Sequence, residues 1–236
     1  MAYLKAGGKY IKAGVNYSIG SIGSIDPIPR NGLVAEYLFD GNTNDTSGNG
    51  YHLTNNGAIL TTDRNGNLNS AYNFGGSAYM VRTPSVITEW PMTFSFWCRT
   101  SSTSGAMRTA NIGDSTVGDS VVSIWMATGK QRAQYLNASS KLAISPNNTN
   151  NGTWKHIVGT FLNDSRRELF ESGVSVAVNT ETAGGGQLSG INYFSIGALN
   201  WFPLGGWIQN WIGDIDDVRI YNRILSQAEI TILATN

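Results

Sequence analysis

Apolar and polar residues alternate in short runs along most of this chain, and glycine-rich turns separate them. Leu33–Phe39 (LVAEYLF) predicts a strand, followed by a loop dense in Asn, Asp, Ser and Gly. AYNFGGSAYMVRT predicts a hairpin of two short strands around Gly75 and Gly76. Met92–Thr100 predicts a long central strand, and shorter strands fall around Thr109–Ile112, Val121–Ala127, Ala133–Asn137 and Leu142–Ile144. Thr153–Leu162 is another strand, ELFESGVSVA turns back at Ser172 and Gly173, and NYFSIG runs into an aromatic loop. The last stretch, Gly213–Ile230, sets the β-branched Ile215, Val218 and Ile220 among three acids, Asp214, Asp216 and Asp217. Carboxylates in a buried strand are costly unless a cation or donors meet them. Ser226 and Glu229 then form a capping box for a short helix that offers Ile230 and Leu233 as its apolar side. About a dozen short strands with glycine turns and one C-terminal helix predict an all-β fold, a two-sheet antiparallel sandwich or jelly roll.

Residues 1–29 follow a different pattern. Tyr3, Tyr10 and Tyr17 recur every seven residues, but Gly7, Gly8 and Gly14 between them would each cost a helix about 1 kcal/mol. A β-arc or short hairpin fits better. Ile19, Ile22, Ile25 and Ile28 then recur every third residue, the period of an extended or polyproline-like strand. The composition also suits a flexible linker. The reading carried forward is an extended anchoring or assembly segment, with the period of three as a hint of a homotrimer. Pro27, Pro29 and Gly32 mark the boundary, giving a segment 1–29 and a sandwich domain 30–236.

Charge narrows the partners. The 236 residues carry 16 basic and 16 acidic side chains, only 14% of the chain, so no basic field favours nucleic acid. Cys98 is alone, which excludes an internal disulfide and a thiol metal cluster. The N-terminus lacks the apolar core of a signal peptide, and no apolar run approaches a membrane span, so neither Sec export nor membrane insertion is expected.

Several segments, in order from about Gly32 to Leu233, resemble the laminin-G-like branch of the concanavalin A-like lectin/glucanase family. They are GLVAEYLFDGNTNDTSGNGYHLTNNG, AYNFGGSAYMVR, GTWKHIVGTF, LFESGV and GDIDDVRIYNRILSQAEI. The resemblance implies a jelly roll with its first and last strands adjacent, where such domains often hold Ca²⁺. Asp40, Asn42, Asn44, Asp45 and Ser47 would form one half of that site and Asp216 or Asp217 the other. Read as an EF-hand, the loop fails, because Tyr51 stands where the bidentate Glu belongs. The competing reading has these residues capping turns and Asp217 pairing with Arg219 or Arg223.

Aromatic residues supply the binding candidates. Trp97, Trp154 and Trp211 sit at strand positions that the family fills with core aromatics. Trp201, Phe202 and Trp207 instead fall in a loop broken by Gly and Pro, beside Asn200, Gln209 and Asn210. Exposed rings with amide neighbours suit stacking on a sugar face, a protein contact, or packing under the loop. Trp125 with Gln131, Gln134 and Tyr135 is a second candidate. Catalysis is not expected. The E-x-D-x-x-E strand of glycosidases of this fold is missing, and Glu168 and Glu171 point to opposite strand faces. The resulting expectation is a non-catalytic module on a larger assembly, a bacteriophage decoration, head-fibre or tail-adhesin protein at the virion surface that binds host glycans. A structural cementing protein and a bacterial surface lectin are the alternatives.

Overall fold

The computed structural model describes residues 3–6, 9–12, 27–116, 120–201 and 206–236. β1 (Tyr3–Ala6) and β2 (Lys9–Lys12) pair antiparallel, with Leu4 opposite Ile11. The predicted short hairpin therefore forms, while the isoleucine repeat from Ile19 to Ile25 lies outside the described residues. The sandwich begins with β3 (Leu33–Tyr37), β4 (Thr54–Asn56), β5 (Ile59–Thr61), β6 (Ala71–Asn73), β7 (Tyr79–Arg82) and β8 (Met92–Arg99). It continues through β9 (Met107–Gly113), β10 (Val121–Ala127), β11 (Lys130–Leu136), β12 (Ser140–Ile144), β13 (Lys155–Asn163), β14 (Arg166–Glu171) and β15 (Val174–Asn179). β16 (Tyr193–Ile196), β17 (Leu199–Trp201), β18 (Gly206–Ile208), β19 (Asp214–Tyr221) and α1 (Gln227–Thr235) complete it.

Two antiparallel sheets face each other in a jelly-roll sandwich. One runs β12-β11-β10-β9-β16-β7-β4; the other runs β15-β14-β13-β8-β19-β6-β5, with β3 also paired to β19. Alternation decides which side chains turn inward. Phe94, Phe96 and Ile220 of the second sheet meet Ile112, Ile124 and Phe194 of the first in one core. Phe94 touches both Phe161, at 5.8 Å between ring centroids, and Phe194 across the layers at 6.4 Å. Each such ring taken out of water stabilises the fold by about 1.5–3 kcal/mol. Gly159 lets the layers close, since a Cβ there would lie 2.6 Å from Ile124 Cδ1.

The turn at Ser172 and Gly173 forms as the sequence indicates, with φ of 48° and 82°, the two left-handed residues of a type I′ hairpin. The capping box forms too: Glu229 N donates to Ser226 Oγ at 3.3 Å, and Glu229 Oε2 accepts from Ser226 N at 2.8 Å. Ile230 and Leu233 bury against Val158, Phe170, Tyr221 and Leu225 on the outer face of the eight-stranded sheet.

Two expectations are corrected. β6 and β7 are not a hairpin, because β6 pairs with β5 and β19 while β7 pairs with β4 and β16 in the opposite sheet. Gly75 and Gly76, at φ 57° and 85°, carry the chain across the sandwich edge, with Phe74 and Ala78 buried on either side. Trp97 and Trp154 are not core residues. Both are only half-buried, and an arginine covers each ring, Arg64 over Trp97 at 4.8 Å and Arg99 over Trp154 at 5.0 Å. Only Trp211 of the three is fully enclosed.

Candidate functional site

The aromatic loop is a hairpin lying on the outer face of the seven-stranded sheet. β17 and β18 set Asn200 opposite Trp207 and Trp201 opposite Gly206. Trp207 stacks on Tyr79 of β7, 4.1 Å between centroids at 19°, and meets Tyr193 of β16 edge-on at 5.8 Å. Offset and edge contacts of this kind add about 0.5–1.5 kcal/mol each to the burial of the rings. Trp201, Trp207 and Ile208 are half-buried against Val121, Tyr193 and Leu199. Phe202 lies outside the described residues.

The side-chain amides of Gln209 and Asn210 serve the hairpin. Gln209, at φ 56°, takes the Arg108 Nε donor on its side-chain oxygen at 2.6 Å and the Arg108 backbone N–H on its carbonyl at 2.7 Å. Asn210 Nδ2 donates to the Ala78 carbonyl at 3.4 Å, and the Asn200 carbonyl accepts from the Tyr193 hydroxyl at 3.1 Å. Arg108 is buried, and desolvation pulls its pKa down to about 9, still charged at neutral pH. Its Nη1 donates to Ser123 Oγ and Gln134 Oε1 at 2.6 and 2.8 Å.

The second candidate cluster divides. Trp125 and Gln134 share this outer face, with the Arg108 and Arg132 guanidiniums 4.6 and 4.8 Å from the Trp125 ring. Gln131 turns inward toward Cys98 Sγ at 3.8 Å, and Tyr135 is a core residue, because alternation along β11 sends them to the other side. The contact of Arg108 with Gln209 joins the Trp125 face to the aromatic hairpin. Sequence reasoning missed Tyr79, Tyr193 and Arg108. A strand arginine at an outward register position was the only local signal for the last.

The acids of β19 meet a partner that sequence reasoning also missed. Asp40, Asp216 and Asp217 line one cleft of about 270 Å³ together with Asp63 and Arg64. Arg64 donates from Nη1 to Asp216 at 2.9 Å and pairs through Nη2 with Asp217 at 2.6 Å. A bulge in β19 makes this possible: Asp217 sits at φ 50°, its N–H donates to the Asp216 carboxylate at 2.8 Å, and the pairing with β8 shifts between Asp216 and Arg219. Arg219 also approaches Asp217 at 3.4 Å and pairs with the buried Glu36 at 2.9 Å. Burial, then the neighbouring Asp217 charge, push the Asp216 carboxyl up to about 8 despite the pull of Arg64.

The rest of the expected calcium loop is occupied with itself. Asp45 accepts from the backbone N–H groups of Glu36, Ser47 and Tyr51 and from Ser47 Oγ, all at 2.9 Å. Burial works against its charge, but these donors outweigh it and hold the carboxyl below its ordinary range. Asn42 accepts from Asn44 N at 2.8 Å, and the Val34 carbonyl accepts from Asn49 Nδ2 at 2.8 Å. Asp63 takes three donors from Asn65 and Asn67. Ca²⁺ asks for six to eight oxygens free to turn toward it. Among the described residues, no three His, Cys, Asp or Glu side chains are grouped to hold a metal.

Fold and site together define a jelly-roll sandwich of the lectin type, with an aromatic hairpin on one sheet. The profile of a laminin-G family, described as the concanavalin A-like lectin/glucanases superfamily, matches residues 74–231, and the chain belongs to that superfamily. No curated protein sequence matches. Among solved structures, domain 4 of AbnA, a GH43 extracellular arabinanase from Geobacillus stearothermophilus solved with arabinotriose, is similar at TM-score 0.69 and 19% identity, covering 86% of this chain and 98% of that one. The binding domain of botulinum neurotoxin DC in complex with SialylT is similar at TM-score 0.65 and 15% identity, over 87% of this chain and 51% of that one. The same toxin domain in complex with rat synaptotagmin II gives TM-score 0.61 and 16% identity, covering 87% of this chain and 51% of that one. The chain therefore spans about half the length of the toxin domains.

Proposed function

We propose that the protein is a non-catalytic carbohydrate-binding module whose aromatic hairpin stacks on a sugar face. The observation that carries this reading is the seating of Trp207. Tyr79 stacks on its ring and Tyr193 meets it nearly at a right angle, while the residue stays half-buried. A ring fixed before the ligand arrives loses little freedom on binding. The superfamily supports the reading, as do neighbours solved with arabinotriose and SialylT. Glycan-array binding followed by titration tests it. Trp207→Ala lowers affinity at least about twofold, as the loss of one stacking contact requires, with Tm as the control for folding. Binding that survives both Trp201→Ala and Trp207→Ala overturns it.

Display on a larger assembly through residues 1–29, a bacteriophage virion in the leading case, belongs to the same proposal. Deleting that segment removes the protein from the particle while leaving glycan binding intact. A cementing role is the second reading, favoured by the Trp, Tyr and Arg content of the patch, which is also that of protein-contact centres. In that case Trp207→Ala changes assembly size and leaves sugar binding untouched. We also propose that Arg64 supplies the positive charge that the family resemblance assigned to calcium. An equal Tm in Ca²⁺ and in EDTA supports this, and a higher Tm in Ca²⁺ refutes it.

A further inference from the structure

A cleft of about 460 Å³ shares no lining residue with the aromatic hairpin and has a different chemistry. Such a volume lies in the range of small-ligand sites. Its most distinctive side chain is Arg99, the last residue of β8. Arg99 Nε donates to Asp214 Oδ2 at 2.5 Å, across the register of β8 and β19. Asp214 Oδ1 in turn accepts from Asn73 Nδ2 at 2.7 Å, across the register of β19 and β6. The guanidinium carbon lies over the Trp154 ring, 5.0 Å from its centroid. A long side chain that usually wanders is thus pinned at its Nε and on one face. An arginine has five N–H donors, and among the described residues no hydrogen bond engages the four on its two Nη nitrogens. The Arg99 side chain remains 35% exposed, whereas Asp214 behind it is 8% exposed and already occupied by two donors.

The facing wall is polar and fixed. Gly152 N donates to the Thr100 carbonyl at 2.9 Å and Asn150 Nδ2 to the Ser102 carbonyl at 3.1 Å, which hold the turn after β8 in place. Ser101 at its tip is exposed and makes no hydrogen bond among the described residues. Gly213 shapes the other side: at φ 136°, a Cβ would lie 2.2 Å from the Arg99 carbonyl, so the strands approach closely only with glycine there. Ile212 is the one large apolar side chain lining the cleft.

From this geometry we infer that the cleft is a separate subsite for a carboxylate-bearing saccharide. The planar fork of Arg99 matches a carboxylate through two parallel N–H···O bonds, and the serine hydroxyls with Asn73 suit ring hydroxyls. A lysine cannot reproduce the fork. The inference rests on the reading that the domain binds saccharide, but on different residues, so the two can fail separately.

The test titrates the full chain with a galacturonate trimer, the matching neutral galactose trimer, and a glutamate-containing tripeptide. The acidic trimer binds at least about tenfold tighter than the neutral one, the value of one charge-assisted hydrogen bond. Arg99→Lys removes that advantage. Ser101→Glu, an exposed change that sets a like charge at the cleft, removes it as well and decides the matter if Arg99→Lys does not fold. Trp207→Ala leaves the acidic preference intact even where it abolishes binding of neutral glycans. Equal affinity for the two trimers, full acidic preference in folded Arg99→Lys or in Ser101→Glu, or equal affinity for the tripeptide overturns the inference.

Discussion

His156 should make this domain acid-labile. The ring lies on the outer face of β13 with Nε2 2.8 Å from Ser95 Oγ, against Trp97 at 5.3 Å between centroids, and it is 1% exposed. Among the described residues its buried Nδ1 meets no hydrogen-bond partner. Desolvation, then the charges of Arg219 and Arg64, depress its pKa to about 3. The folded protein therefore keeps His156 neutral while the unfolded chain binds a proton below its ordinary pKa of about 6.5. A depressed histidine is a source of stability at neutral pH that is lost as pH falls from about 6.5 toward 3. Each pH unit well inside that window is worth about 1.4 kcal/mol, and the unfolded ring is only half protonated at pH 6.5, so the step from pH 6.5 to 4.5 costs about 2 kcal/mol. Carboxylates titrate in the same range, and His156→Gln separates the terms, because its amide keeps a partner for Ser95 and carries no proton to gain. Urea unfolding of both proteins at pH 7.0 and pH 4.5 should show the wild type losing about 2–3 kcal/mol more than the variant. Equal losses would mean that His156 is protonated in the folded state or reached by water, and the reasoning would fall.

Arg64→Ala leaves the Asp216 and Asp217 carboxylates facing each other, and should cost about 3–5 kcal/mol at pH 9. Asp216 has a raised pKa, so the folded state gains a proton as pH falls below about 8, and the penalty should shrink at pH 6. A penalty that does not change with pH, followed by urea unfolding, contradicts this. Trp211→Ala opens a cavity in the closed core and should cost about 3–5 kcal/mol, whereas Trp97→Ala, on a half-buried ring, should cost clearly less; the reverse order of the two Tm values would contradict the layer assignment. Gly213→Ala forces a Cβ against the Arg99 carbonyl and should cost about 2–4 kcal/mol, with a near-wild-type Tm refuting the close approach.

What the sequence reveals here is what is encoded locally. The Ser226–Glu229 box and the Ser172–Gly173 turn each complete their hydrogen bonds within a few residues, and both form as read. β-branched alternation likewise locates β13 and β19. Partners chosen by the fold are not legible in the same way. Arg64 meets Asp216 across 152 positions, and no periodicity near either residue announces the other. The double glycine after β6 reads equally as a hairpin or as a crossing between layers, because a positive φ serves both. For Trp97 and Trp154, the family resemblance argued for the core, while register placed them outside, where arginines cover them. The aromatic hairpin was visible as a loop that could not bury its rings. The tyrosines that prop it come from β7 and β16 and became visible only once the strands were paired.

The pairing of β3 with β19 has a mechanical consequence. β3 hydrogen-bonds to β19, with Leu33 opposite Tyr221 and Tyr37 opposite Val218. The strands are antiparallel, so the lead into β3 and the lead out of β19 leave from the same end of the ladder. Tension between those leads would open the ladder one pair at a time, starting at Leu33, rather than shear all its bonds together. The buried pair of Arg219 and Glu36 stands near the far end of that path, 2.9 Å apart. A module pulled in this way yields gradually at first, and the ion pair is where it would hold.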